Sequence, residues 1–341
     1  MDKNSSPIDF VITWADTTDP NWLRKRSDAL NGTLGDDPHA ATADAFVLKN
    51  QPWGTLRYLL RGIELYCPWV RYVHLVTPGQ SPEWLNLEHP KLRLVNQDDI
   101  VDREYLPTFN SNAIEMSLHR IPELAENFVY FNDDMMIFAP TEASHFFPNG
   151  SPAGFAVMNA LSGGDPLSHY LLNNVGVLNR HFDKKTTIRR AWKQWFSPKY
   201  GAKNIRNLLL LPWPAFTGFF EPHLPMALRK KTFDELWEKE SELLRQTSAS
   251  KFRALDNLSP FIFRYWQLCS GDFTPVSPSQ YGRFYEFGRD DIGEITAAIL
   301  SGRHRLICVN DGEGQDFASH TVPFRNALEQ ALPTQSQFEV R

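Results

Sequence analysis

Over the first 140 positions, short apolar runs alternate with amphipathic stretches. Ile8–Trp14 (IDFVITW) is β-branched and aromatic, then breaks into the turn-like ADTTDP, which predicts a buried strand followed by an acidic loop. Asp19 in that loop suits the cap of a helix around Trp22–Leu30. Asn31–Asp44 is polar and rich in Gly and Asp and reads as a loop. Within Thr55–Tyr66, Leu56, Leu59, Leu60 and Ile63 recur at helical spacing, and Pro68 stops the helix. Tyr72–Thr77, Leu92–Val95 and Phe128–Phe131 read as strands, and Ser111–His119 as a helix with Ser111 as its N-cap. Further on, Lys230–Leu244, Phe252–Leu268 and Asp290–Leu300 read as helices. Arg305–Val309 reads as a last strand that ends in Asn310–Asp311–Gly312.

This alternation predicts an α/β protein: a doubly wound, Rossmann-like, mostly parallel sheet, with a helical subdomain from the second half. The expected division is 1–160, 161–270 and 271–341, packed as one compact unit because no linker separates the parts. Ligands bind beyond the carboxyl ends of the strands in such sheets. Asp16 and the Asp133–Asp134 pair both fall at such ends.

With 42% hydrophobic and 22% charged residues, the 341-residue chain can build a sizeable core. A net charge of −5 speaks against a general nucleic-acid binder. The charge is uneven: residues 1–150 carry 12 Lys/Arg against 21 Asp/Glu, and the remainder carries 23 against 19. Such a division suits a site that joins a metal to an anionic substrate, or is chance. Cys67, Cys269 and Cys308 are far apart and lack metal-ligand spacing, as expected in a reducing compartment. No apolar run has the length of a membrane span, so the expected location is cytoplasmic, with peripheral contact at the inner face of the membrane left open. The basic, Trp-bearing stretch Arg180–Arg206 reads either as a surface for an anionic membrane or polymer, or as subdomain helices with a solvated face; the second is the simpler reading. The oligomeric state is not legible.

FNDDMMIF (Phe131–Phe138) places two carboxylates after a buried strand, where they could bind Mg²⁺ or Mn²⁺ or merely form a polar turn. Glu115 and His119 lie four apart on one helical face, a spacing open to a metal or to a surface contact. His223 sits between Pro222 and Pro225 in EPHLP, so it is either a stiffly held general base or a hydrogen-bonded turn histidine. Arg229, Lys230, Lys231 and Arg253 could take phosphate oxygens or form a solvated face. Walker, G-x-G-x-x-G, H-E-x-x-H and G-x-S-x-G motifs are all missing from the sequence.

Four ordered segments resemble the conserved blocks of the Stealth family of sugar-phosphate transferases, found among capsule and exopolysaccharide enzymes and in GlcNAc-1-phosphotransferase. They are IDFVITWADTTDP; the region from Leu56-Arg57-Tyr58 to FVYFNDDMMIF; PHLPMALRK with the stretch reaching Arg253; and ICVNDG. Thr17 stands where the family has Gly, and Gly54–Thr55 replace its acidic pair. The resemblance implies a fold like that of nucleotide-sugar transferases. It also implies transfer of a hexose 1-phosphate from a nucleotide-sugar donor to a hydroxyl of a glycan or glycolipid acceptor, releasing a nucleoside monophosphate.

On that basis Asp134, with Asp133, is expected to hold Mg²⁺ (or Mn²⁺), and Glu115 to position the reacting groups. His223 is expected to take the acceptor proton, and Arg253 to steady the phosphoryl charge. Asp16, Arg57, Arg61, Asn110, Asn310 and Asp311 are expected to bind the donor. The rival expectations are a metal-dependent glycosyltransferase that releases a nucleoside diphosphate, and a catalytically silent binding protein.

Overall fold

The computed structural model describes residues 6–33, 53–312 and 317–340. Its central sheet has five strands: β1 (Ile8–Thr13), β2 (Val73–Thr77), β3 (Leu92–Asn96), β4 (Asn127–Asn132) and, from the second half, β6 (Met226–Arg229). Their spatial order is β3-β2-β1-β4-β6. The first four run parallel, with Phe10 opposite Val73 and Ile12 opposite Phe131; β6 closes the edge antiparallel, with Asn127 opposite Arg229. Strand β1 is buried from Ile8 through Ile12, as the apolar run demands for a central strand covered on both faces. The fold class expected from the sequence is therefore observed. The 161–270 segment is nevertheless tied into the main sheet by β6.

A smaller sheet joins β5 (Met135–Ile137), β8 (Leu306–Asn310) and β7 (Arg283–Glu286) in the order β5-β8-β7. Two residues separate the end of β4 from the start of β5, so the chain passes from one sheet to the other through Asp133–Asp134. Helix α2 (Thr55–Tyr66) buries Leu56, Leu59, Leu60 and Ile63 and crosses β5 at Gly62, where a Cβ would collide with the Ile137 carbonyl. Helix α1 (Pro20–Thr33) is capped by Asp19, whose Oδ1 accepts from the Asn21 and Trp22 amides. The Gly/Asp-rich stretch expected as a loop falls largely outside the described residues.

Two helix expectations need correction. Helix α3 runs only from Ser111 to Glu115, and its cap is Asn110, not Ser111: the Asn110 side chain accepts from the Asn112 amide. The stretch from Phe252 is not helical until α8 (Phe261–Ser270). Residues 252–257 form a loop pinned by Asn110 and Asn257, with Asn110 Nδ2 donating to Ser250 O, Phe252 O and Asn257 Oδ1. The other helices of seven residues or more among the described residues are α4 (Pro166–His181), α5 (Lys184–Arg190), α6 (Asn204–Leu210), α7 (Lys230–Ala249), α9 (Ile292–Ser301) and α10 (Phe317–Ala331). No helix among the described residues is long and apolar enough to cross a membrane.

Candidate active site

Register places the acidic turn against the last strand. Antiparallel pairing sets Cys308 opposite Met135, and the Val309 amide donates to the Asp134 carbonyl at 3.1 Å. The Cys308 thiol consequently donates to Asp134 Oδ2 at 3.3 Å. From the other side His223 Nε2 comes within 3.6 Å of the same oxygen. His223 occupies the left-handed region with φ 48°, between its two flanking prolines. A non-glycine residue held there is backbone strain of the kind that collects at functional sites. Burial opposes the charged imidazole, but the hydrogen bond and charge of Asp134, then the charges of Glu221 and Glu115, outweigh it and raise its pKa.

The acidic turn concentrates negative charge. Burial, then the charges of Asp134 and Asp311, push the Asp133 carboxyl up to about 7. Asp134 Oδ1 is buried without a hydrogen-bond partner. Both features fit a cation beside Asp134. Among the described residues, Asp134, His223 and Cys308 each offer one ligand atom, all within 4.8 Å of one another, so this group could hold a metal ion. Burial, reinforced by the charge of Asp134, raises the Cys308 thiol well above its ordinary value.

Behind this turn lies a second polar cluster. Tyr130, on β4 two residues before Asn132, donates to Glu115 Oε1 at 2.6 Å and pairs with Thr13 Oγ1 at 2.9 Å. Burial pushes the Glu115 carboxyl up, opposed by the Tyr130 bond and by the charges of Arg253 and His223. Arg253 Nη2 donates to Ser111 Oγ at 2.5 Å, at the start of the helix that carries Glu115. Glu115, Asp134, His223 and Arg253 thus gather near the carboxyl end of β4, each within electrostatic reach of another in the set. Asp311 follows β8 and accepts from the Trp53 indole. Asn310 ends the same strand, half-buried. Asp16, beyond β1, is held by Gln80: its amide donates to Gln80 Oε1 at 2.8 Å, and its Oδ1 accepts from the Thr18 amide and hydroxyl.

Along 340 aligned residues, 99% of each chain, the protein is 34% identical to the capsular polysaccharide phosphotransferase WcwK of Streptococcus pneumoniae. It is 36% identical to the receptor polysaccharide phosphotransferase WefC of Streptococcus gordonii, over 98% of this chain and 99% of that one. The exopolysaccharide phosphotransferase cps2G of Lactiplantibacillus plantarum is 35% identical, over 97% and 96% respectively. Residues 49–153 match the description "Stealth protein CR2, conserved region 2". The chain belongs to the Stealth family of polysaccharide phosphotransferases.

Within this Stealth protein, three of the residues expected at the donor are already engaged elsewhere. Arg61 is buried and donates to Glu339, Glu329 and the Leu332 carbonyl. Arg57 pairs with Glu339 at 3.3 Å and lies over the Trp84 ring. Both arginines therefore tie α2 to the C-terminal segment. Asn110 is fully buried, and its amide is spent on holding the Arg253 loop. The Glu115–His119 pair is not a shared ligand set either, because the helix ends at Glu115 and His119 packs against Phe233 and Trp237.

Sequence reasoning missed Cys308, Tyr130 and the buried Glu221–Arg264 pair, whose charges lie 2.6 Å apart behind His223. Cys308 had a signal: it shares the β8 face of Asn310 in the fourth block. Tyr130 had none beyond its strand.

Proposed function

We propose that this Stealth protein transfers a hexose 1-phosphate from a nucleotide diphosphosugar to a hydroxyl of a glycan acceptor in capsule or exopolysaccharide biosynthesis. A phosphodiester forms and a nucleoside monophosphate leaves. The observation that carries the reading is the meeting of Asp134 and His223 at the strand ends, with Glu115 and Arg253 behind them.

His223 Nε2 takes the acceptor hydroxyl proton, helped by the nearby Asp134 carboxylate, which favours the imidazolium that results. The freed oxygen attacks the sugar-side phosphorus; the P–O bond to the nucleotide's phosphate breaks, and the sugar C1–O bond is kept. Arg253, steered by Ser111, faces the charge that accumulates on the phosphoryl oxygens. Glu115, held by Tyr130, keeps Arg253 and His223 in place through its charge. Asp134, with Asp133 beside it, would hold Mg²⁺ or Mn²⁺, which when bound would neutralise the diphosphate. Asp16, Asn310 and Asp311 line the donor pocket of the 1–160 half and its C-terminal complement. The partners are a nucleotide-sugar donor and a glycan acceptor, and the work is done on the cytoplasmic side.

The test is turnover of His223→Ala. Loss of about 10²- to 10⁴-fold in rate with an unchanged melting transition is expected. A near-normal rate would remove His223 from the mechanism.

A further inference from the structure

The basic stretch read from sequence as subdomain helices has an unusual surface. From Lys184 to Phe220 there are eight Lys/Arg and no Asp or Glu. Helix α6 and the turn after it show their apolar side chains to solvent: Ile205 is 58% exposed, Leu208 57%, Leu209 67% and Trp213 51%, with Leu211 beside them. Ile205, Leu208 and Leu209 share one helical face. The opposite side, Asn207, is fully buried and donates to the Ala156 and Trp195 carbonyls.

This is a built surface. Lys184 is buried, and its ammonium donates to the Leu210 and Trp213 carbonyls, satisfying the end of α6 and fixing the turn that points Trp213 outward. The turn containing Trp192, itself 58% exposed, abuts α6 through the Asn207–Trp195 bond. Lys203 directly precedes α6 and Arg206 lies within it, and Lys203 lies over the Phe220 ring, three residues before His223. A contiguous apolar patch rimmed by charge marks an interaction site. Exposed tryptophan and leucine within a stretch that is basic and free of Asp and Glu is the chemistry of an anionic bilayer interface. At seven residues, α6 lies on such a surface and cannot cross it.

We propose that Ile205–Trp213 and its basic flanks dock this protein onto a membrane bearing anionic headgroups. The extension rests on the phosphotransfer reading: an acceptor glycan anchored in that bilayer is then presented beside the His223 edge. The chain runs from the patch through Phe219, bridged to Met158, into Glu221 and His223.

The test is co-sedimentation of the full-length protein with vesicles of phosphatidylcholine alone or mixed with phosphatidylglycerol. The wild type is expected to follow the mixed vesicles and not the neutral ones. Leu208→Asp with Leu209→Asp is expected to weaken that binding by at least about tenfold. Lys203→Glu with Arg206→Glu is expected to abolish the preference for anionic lipid. Both variants are expected to keep the wild-type melting transition and turnover on a water-soluble acceptor. Failure of the wild type to bind mixed vesicles overturns the proposal, as does equal binding by the leucine variant. So does a wild-type dimer in solution that the leucine variant breaks, which would assign the patch to a second copy. Vesicle binding needs no turnover: docking with no transfer on any donor would refute phosphotransfer alone, and transfer without docking would refute the membrane surface alone.

Discussion

The loop that carries His223 rests on a buried ion pair, and breaking that pair should be costly in a measurable way. Arg264 on α8 donates to Glu221 Oε1 at 2.6 Å, with both side chains about 7% exposed. The guanidinium also lies 3.9 Å over the Phe155 ring. Burial pushes the Glu221 carboxyl up, and Arg264 pulls it back. Replacing Arg264 by Met leaves a buried carboxylate without its hydrogen-bonded counter-charge, a loss of about 3–5 kcal/mol. Glu221→Met strands the guanidinium at similar cost, whereas the double variant replaces both charges with apolar bulk. The two changes should therefore be coupled by about 2–3 kcal/mol, so the double variant is more stable than the sum of the singles predicts. Urea unfolding of the wild type, both singles and the double gives this coupling directly. Turnover should fall in the singles and partly recover in the double, because the strained His223 backbone is set two residues from Glu221. Additivity to within about 0.5 kcal/mol would refute the brace.

Two other perturbations probe the scaffold. Asp9 at the start of β1 is fully buried; burial pushes its carboxyl up, but Arg71, His74 and the Ala125 amide outweigh that and hold it down to about 2. A folded-state value below the unfolded one stabilises above the unfolded pKa, so about 2 kcal/mol should be present above pH ~4 and lost as the pH falls toward 2. Urea midpoints across that window test it, and Asp9→Asn should flatten the acid limb. Gly62→Ala drives a methyl into the Ile137 carbonyl next to the acidic turn, and should cost about 1–3 kcal/mol in urea unfolding; an unchanged midpoint would mean that α2 and β5 separate freely.

The central sheet was legible because its strands are covered on both faces, so β1, β2 and β4 are mostly apolar runs of the right length, broken by Asp9 and His74. The acidic turn was legible because it interrupts such a run. What the sequence hid was long-range pairing. Cys308 meets Asp134 only through the β5–β8 register, 174 positions apart in the chain. Arg57 and Arg61 looked like anion binders until Glu329 and Glu339, near the C-terminus, took them up. Apolar residues before α8 extended the helical pattern backward past Pro260, yet Asn110 and Asn257 hold that stretch as a loop and so place Arg253 beside Ser111. The basic stretch folds as subdomain helices, and the exposed leucines of α6 were not legible in it, since periodicity finds an apolar face and is silent on what covers it.

The most direct test of phosphotransfer is the identity of the nucleotide released. Purified protein is incubated with Mg²⁺, a panel of nucleotide sugars and mixed glycan acceptors, and the products are read by mass spectrometry. The account predicts a nucleoside monophosphate that appears only with acceptor, together with an acceptor heavier by one sugar phosphate. A nucleoside diphosphate with an acceptor heavier by the sugar alone would contradict it, because the sugar C1–O bond would then be the one that breaks.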